Sequence, residues 1–226
     1  MLLKTRGIVI GTLAYGESSI VTKIYTEVLG VRSYLVNGVR SARNQGKAAL
    51  YQPLSLLEMT VYEKPRPTLQ RIASAHLSYP YRHIPFSIPK TTIALFLAEI
   101  LYKTLKEEKE DLELFNFLFE SLTIFDKITT GVELFHLVFM VRLAARLGFG
   151  ADSAESFAEQ LLQARIPFDL KETGLAYQKL LALDYGMADP TVNSCRTALL
   201  DALTAFFALH CENFGSMRSL AVLRNL

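Results

Sequence analysis

The hydrophobic period of this 226-residue chain changes once, near Tyr81, and that change separates what can form strands from what must form helices. Before it, apolar residues alternate in short runs: Gly7 to Tyr15, Val21 to Thr26, Val31 to Val36, Leu56 to Tyr62 and Arg71 to Leu77. Gly16, Gly30, Gly38 and the Lys64-Pro65-Arg66-Pro67 tip punctuate these runs as turns. Alternation gives each strand one face to bury, and five such strands suit a small closed barrel of the OB type. Pro80, Pro85 and Pro89 then mark a connection, with Pro89 well placed as the first residue of a helix. Beyond it Ile93, Phe96, Leu97, Ile100, Leu101 and Leu105 recur at helical spacing. Further helices are predicted from Leu112 to Phe125, Val132 to Leu147 with Gly148 as a stop, Ala154 to Ala164, and Val192 to Asn213. The predicted class is α+β, with an OB-fold barrel over 1–82 and an α-helical domain over 83–226.

Charge follows the same division. Residues 1–82 carry 11 Lys and Arg against 4 Glu, a balance of +7, whereas 83–226 carry 13 against 18 acidic residues, a balance of −5. A basic barrel points to a polyanion as its partner. Arg40, Arg43 and Lys47 follow Gly38 in a segment too polar to be buried, and no acidic residue stands near them in sequence. With Lys4, Arg6, Arg32, Arg66 and Arg71 they form the set of candidate phosphate contacts. Tyr15, Tyr25, Tyr34, Tyr51 and Tyr62 are candidate rings for base stacking, although a strand tyrosine more often packs inward.

Several chemistries find no support. The chain has no GxxxxGK[ST], HExxH or GxSxG pattern, so no enzyme is predicted. The carboxylates Glu107, Glu108, Glu110, Asp111 and Glu113 lie beside Lys106 and Lys109 and read as a solvated helix end. His76, His83, His136 and His210 are scattered, with His136 read as a core histidine. Cys195 and Cys211, placed on one helix, would stand roughly 24 Å apart, too far for a disulfide. No metal site or cofactor is predicted. Mean hydropathy is +0.23, but charges break the longest apolar runs below the roughly 20 residues of a membrane span. The N-terminus does not read as a secretory signal, and a cytoplasmic location is expected.

The stretch from Tyr15 to Gln52 also carries a family resemblance. Gly16-Glu17-Ser18-Ser19, Tyr25-Thr26-Glu27, Gly38-Val39-Arg40-Ser41, Lys47 and Gln52-Pro53 stand in the order found in RecO, the bacterial recombination-mediator family. Weaker similarity continues through IALFLAEILY, FHLVFMVRLAARLGF and FGSMRSLAVLRNL to the branch typified by Bacteroidetes. Many relatives carry a four-cysteine zinc module in the helical domain, and the corresponding residues 148–175 here hold no cysteine. Asn37 stands where the family often has a Lys before the loop glycine, and Leu137 and Val138 where some relatives have a pair of arginines.

The resemblance implies a DNA repair role without catalysis in the nucleoid-associated cytoplasm. Such a protein would bind single- and double-stranded DNA without reading sequence, anneal complementary strands, and with RecR help load RecA onto DNA coated by single-strand-binding protein. The acidic, apolar C-terminal tail of that coating protein would need a hydrophobic pocket with a cation. Phe139, Arg142 and Arg146, on one helical stretch, are the residues expected to supply it. Two other readings of the same basic barrel are an RNA-binding module and an adaptor that binds proteins alone.

Overall fold

In the computed structural model, residues 1–40, 45–62, 69–106 and 109–224 are described. The barrel is formed by β1 (Leu2–Tyr15), β2 (Ser19–Thr26), β3 (Gly30–Val36), β4 (Leu56–Tyr62) and β5 (Gln70–Tyr79), with the short helix α1 (Gln45–Ala49) between β3 and β4. The strands close in the order β1-β2-β3-β5-β4, with β4 returning antiparallel to β1. The OB-type barrel read from the alternating runs is therefore present. β1 is long because it serves two seams: Leu2 to Ile8 pair with β4, and Gly7 to Tyr15 pair with β2. The register shifts between Val9 and Gly11, a bulge that bends the strand from one partner to the other. Inward residues Val9, Ile20, Ile24, Tyr34, Val39, Tyr51, Leu57, Met59 and Val61 fill the interior.

Two helices follow, α2 (Ile88–Thr104) and α3 (Leu112–Lys127). Contacts divide the chain into two units, Met1–Arg82 with Ala94–Thr123, and His83–Ile93 with Ile124–Leu226. This differs from a single cut after Arg82, because the middle of the chain returns to cover the β1–β2 face of the barrel. Tyr25 donates its hydroxyl to the Asp111 carbonyl at 3.2 Å and lies 6.0 Å from the Phe115 ring. Lys23 donates to the Leu105 carbonyl at 3.2 Å and sits 4.8 Å above Tyr102. Burial, aided by Lys106, pushes its pKa down. At Gly11 a Cβ would stand 2.6 Å from the Tyr102 ring, so glycine is what lets that ring lie against β1. The returning segment brings three Lys and seven acidic residues, so the first unit carries +3 and the second −1. The charge contrast between the units is thus milder than the one between 1–82 and 83–226, and the excess of cations belongs to the barrel and its loops.

The second unit holds α4 (Phe135–Arg146), α5 (Ala154–Gln163), α6 (Glu172–Leu181), α7 (Pro190–Ser194), α8 (Arg196–His210) and α9 (Leu220–Leu223). Ser153 and Asp189 cap α5 and α7 by accepting from the Ser156 and Val192 amides. Stacked rings knit the unit, with Phe125 4.3 Å from Phe135 and Phe157 4.2 Å from Tyr177. The helix predicted from Val192 to Asn213 is two helices that break at Cys195, so Cys195 and Cys211 flank α8 instead of lying along one helix. α6 escaped the sequence reading because Gly174 interrupts its pattern. That glycine is buried, and its missing side chain admits Leu170 and Ala154.

Candidate nucleic-acid interface

The returning segment lies against Lys23 and Tyr25 of β2, while Lys47 on α1 and Arg71 on β5 stand exposed. The connection leaving β3 is pinned to the β1–β2 hairpin: Ser19 donates to the Asn37 side chain at 3.2 Å, and the Arg40 amide donates to the Ser18 carbonyl at 2.9 Å. Arg40 itself is exposed, with its guanidinium 3.3 Å from the Gly16 carbonyl. α1 presents Lys47 to solvent, and the chain re-enters the barrel at Tyr51, whose carbonyl accepts from Thr12 at 2.7 Å. Between this re-entry and β5 lies a groove of about 420 Å³, with Lys47 and Arg71 at its rim and Leu35, Val36, Leu50 and Ile72 along its walls. Among the described residues, neither rim cation forms an ion pair.

The other sequence-derived positions fall in different surroundings. Lys4 is exposed on β1, opposite Thr60, which in turn pairs with the groove residue Ser74. Arg32 is half-buried and donates to the Val31 carbonyl. Arg43 and Arg66 lie outside the described residues. Arg6 does not stand ready for a phosphate. Its guanidinium binds Glu27 at 2.8 and 3.0 Å and Asn116 at 3.0 Å, and it lies 5.1 and 4.9 Å from the Phe115 and Phe119 rings. The hydrogen bond to Glu27 raises the arginine's pKa and lowers the carboxyl's. Sequence reasoning missed this because Glu27 and Asn116 are far from Arg6 along the chain. Of the five tyrosines, Tyr25, Tyr34 and Tyr51 are buried, and burial pushes Tyr34 up to about 12. Tyr15 and Tyr62 remain exposed, and Tyr62 stands directly opposite Arg71.

Phe139, Arg142 and Arg146, expected to supply a peptide pocket, fall in three different surroundings. Phe139 is wholly inside the core, and its ring lies 6.2 Å from Phe135. Arg142 is committed to Asp184, to the Leu183 carbonyl at 2.9 Å, and to the Tyr185 ring at 4.6 Å. Arg146 is exposed and reaches the Arg142 carbonyl at 3.3 Å. Helical spacing places these residues on one segment correctly, but it does not see the loop that neutralises Arg142. A different cavity of about 260 Å³ in the second unit is lined by Pro89, Ile93, Val132 and Leu223, with Glu133 and Arg196 as its charged members. His136 also faces it, and burial drives that imidazole's pKa down to about 3. Residues 148–175 span α5 and the first turn of α6 with no cysteine, so they supply no donor set for a four-cysteine zinc module. Among the described residues no cluster of His, Cys, Asp or Glu could hold a metal ion, and no helix is long and apolar enough to cross a membrane.

A five-stranded OB-type barrel with an exposed basic groove, followed by a helical unit, defines the chain as an OB-barrel protein with an appended helical domain. The family model described as Recombination protein O N terminal matches residues 1–81, and the one described as Recombination protein O C terminal matches residues 85–168. DNA repair protein RecO of Phocaeicola vulgatus is 34% identical over 243 residues, covering 100% of this chain and 99% of the relative. RecO of Bacteroides fragilis is 34% identical over 247 residues and RecO of Flavobacterium johnsoniae 31% over 236, each with the same coverage. The chain belongs to the RecO family.

Proposed function

We propose that this protein acts in DNA repair by recombination as a binding protein rather than a catalyst, holding DNA on the barrel face that carries Arg40, Lys47 and Arg71. The observation that carries the reading is the groove, where two exposed cations, Lys47 and Arg71, border walls that include Leu35, Val36, Leu50 and Ile72. Cations that track phosphates bind any sequence, and screening the charge of two strands lets complements meet. The family membership supports the finer role, in which the protein engages single- and double-stranded DNA, anneals complements, and joins RecR to load RecA where single-strand-binding protein coats the strand. The work would take place in the nucleoid-associated cytoplasm. Annealing of two labelled complementary oligonucleotides, followed by energy transfer, tests it. The protein is expected to accelerate pairing at low salt, and the Arg40→Ala/Lys47→Ala/Arg71→Ala variant to lose most of that acceleration. Equal rates with and without protein would sink the annealing role. A clear preference for RNA over DNA of equal length would favour the RNA-binding reading instead, and retained protein partners without any nucleic-acid binding would favour the adaptor.

The acidic tail of single-strand-binding protein fits the second-unit cavity better than the Arg142 surface. Pro89, Ile93, Val132 and Leu223 offer apolar walls, and Arg196 offers a cation for a terminal carboxylate. Arg196→Ala is expected to weaken binding of the tail peptide several-fold, and amidation of the peptide's C-terminus to weaken it on the parent. Unchanged affinity in both comparisons would remove the cavity from consideration.

A further inference from the structure

The barrel is not zipped evenly. β1 pairs with β2 and β4 along most of its length, but among the described residues β3 and β5 pair only at Tyr34 with Gln70 and Leu35 with Arg71. From Ile72 to Ala75 the side of β5 turned toward β3 has no strand partner among the described residues, and the groove opens there. A register shift at Thr60 and Val61 leaves Ala73 as a bulge on this segment. At the seam itself the Tyr34 hydroxyl and the Gln70 Oε1 are buried with no hydrogen-bond partner among the described residues. Leu35, Val36, Leu50 and Ile72 are only half-buried, so apolar side chains line an opening where a fully closed barrel would bury them.

We propose that this gap is a subsite for unstacked bases, so that the protein distinguishes single strands from duplex by what enters the barrel wall and not by charge. The proposal rests on the nucleic-acid reading of the same face. A volume of about 420 Å³ lies within the roughly 300–1,000 Å³ of small-ligand sites. Lys47 and Arg71 flank it, which places cations where the phosphates on either side of an inserted base would run. Duplex bases keep both faces stacked on neighbours, whereas a single strand can turn a ring into apolar walls at little cost. Ser74 and Asn37 are polar lining residues too few to read a sequence, consistent with tolerance of any base. Tyr62, exposed on β4 and opposite Arg71, offers a ring on which a base beside that cation stacks.

Three ligands of equal length decide the question: a labelled oligothymidylate, the same strand with abasic sites at alternate positions, and a duplex. Each is titrated against the parent and against Ala73→Trp, in which an indole fills the groove from an exposed position. The parent is expected to bind the intact strand about tenfold more tightly than the abasic strand of equal charge. Ala73→Trp is expected to bind the intact and abasic strands alike, and to lose more affinity for the intact strand than for the duplex. Equal affinity of the parent for intact and abasic strands would overturn the subsite while leaving phosphate binding by the loop intact. A Trp variant that loses duplex and single strand by the same factor would overturn it as well. Failure of the parent to bind any of the three at low salt would instead overturn the nucleic-acid reading on which the subsite depends. The abasic comparison uses the parent alone, so it decides the matter even if the Trp variant does not fold.

Discussion

Asp126→Ala is expected to destabilise the helical unit by about 3–5 kcal/mol, the range for breaking a buried charge arrangement by removing one partner. The Asp126 side chain is wholly buried at the end of α3, where Oδ1 accepts from the backbone amides of His83 and Ile84 at 2.8 and 2.9 Å. These two amides begin the 3₁₀ turn Ile84–Phe86 that leads into α2. Lys90 is also buried, donates to the Asp126 backbone carbonyl at 2.7 Å, and lies 5.8 Å from the Phe125 ring. Burial lowers the Lys90 pKa and the Asp126 charge opposes that shift. Removing the carboxylate therefore strands two amides and leaves an ammonium inside without its counter-charge. Urea unfolding of the parent, Asp126→Ala and Asp126→Asn would check this. The Asn variant, which keeps an acceptor oxygen, is expected to fall between the other two. A loss below about 1 kcal/mol in Asp126→Ala would show that water or rearrangement replaces the carboxylate, the usual scale for a net hydrogen bond.

The second large effect is a loss of stability in mild acid that originates at His136. The imidazole is fully buried on α4; burial, with a contribution from the positive charge of Arg196, lowers its pKa from 6.5 to about 3. The sign follows from which state takes up the proton. Below pH 6.5 the unfolded chain protonates this histidine while the folded chain keeps it neutral, so stability is full above 6.5 and falls as pH drops toward 3. One such proton costs about 1.4 kcal/mol per pH unit through that window. His136→Leu removes the linkage, so the parent-minus-variant difference in unfolding free energy is expected to vary with that slope between pH 6 and 4. A difference that stays flat across this range would mean that the folded protein accommodates the imidazolium.

The barrel was legible because its rule is local. Period-two alternation in Val21 to Thr26 and Val31 to Val36, with glycine at each turn, needs no knowledge of the rest of the chain. Of the cations expected after Gly38, Arg40 and Lys47 stand exposed, and Lys47 lines the groove. What escaped the sequence depends on residues far apart. Arg6 reads as a surface cation until Glu27, Asn116, Phe115 and Phe119 surround it, and Arg142 until Asp184 pairs with it. The groove could not be read from any one strand, because it exists where β3 and β5 stop pairing. Phe139 sits at helical spacing from Arg142 and Arg146, but spacing alone did not tell the buried flank of α4 from the wet one.

If the open face of the barrel holds nucleic acid through Arg40, Lys47 and Arg71, the salt dependence of binding reports those three contacts. Binding of a labelled single strand across a salt series tests it most directly, with the parent compared to Arg40→Ala/Lys47→Ala/Arg71→Ala and to Arg6→Ala. Log affinity should fall linearly with log salt at about −0.7 per phosphate neutralised, and the triple variant should show a slope shallower by about 2. Arg6→Ala, which removes a cation already committed to Glu27 and Asn116, should lower the unfolding midpoint and keep the parent's slope. Parallel lines for the parent and the triple variant would contradict the account and move the site elsewhere on the molecule.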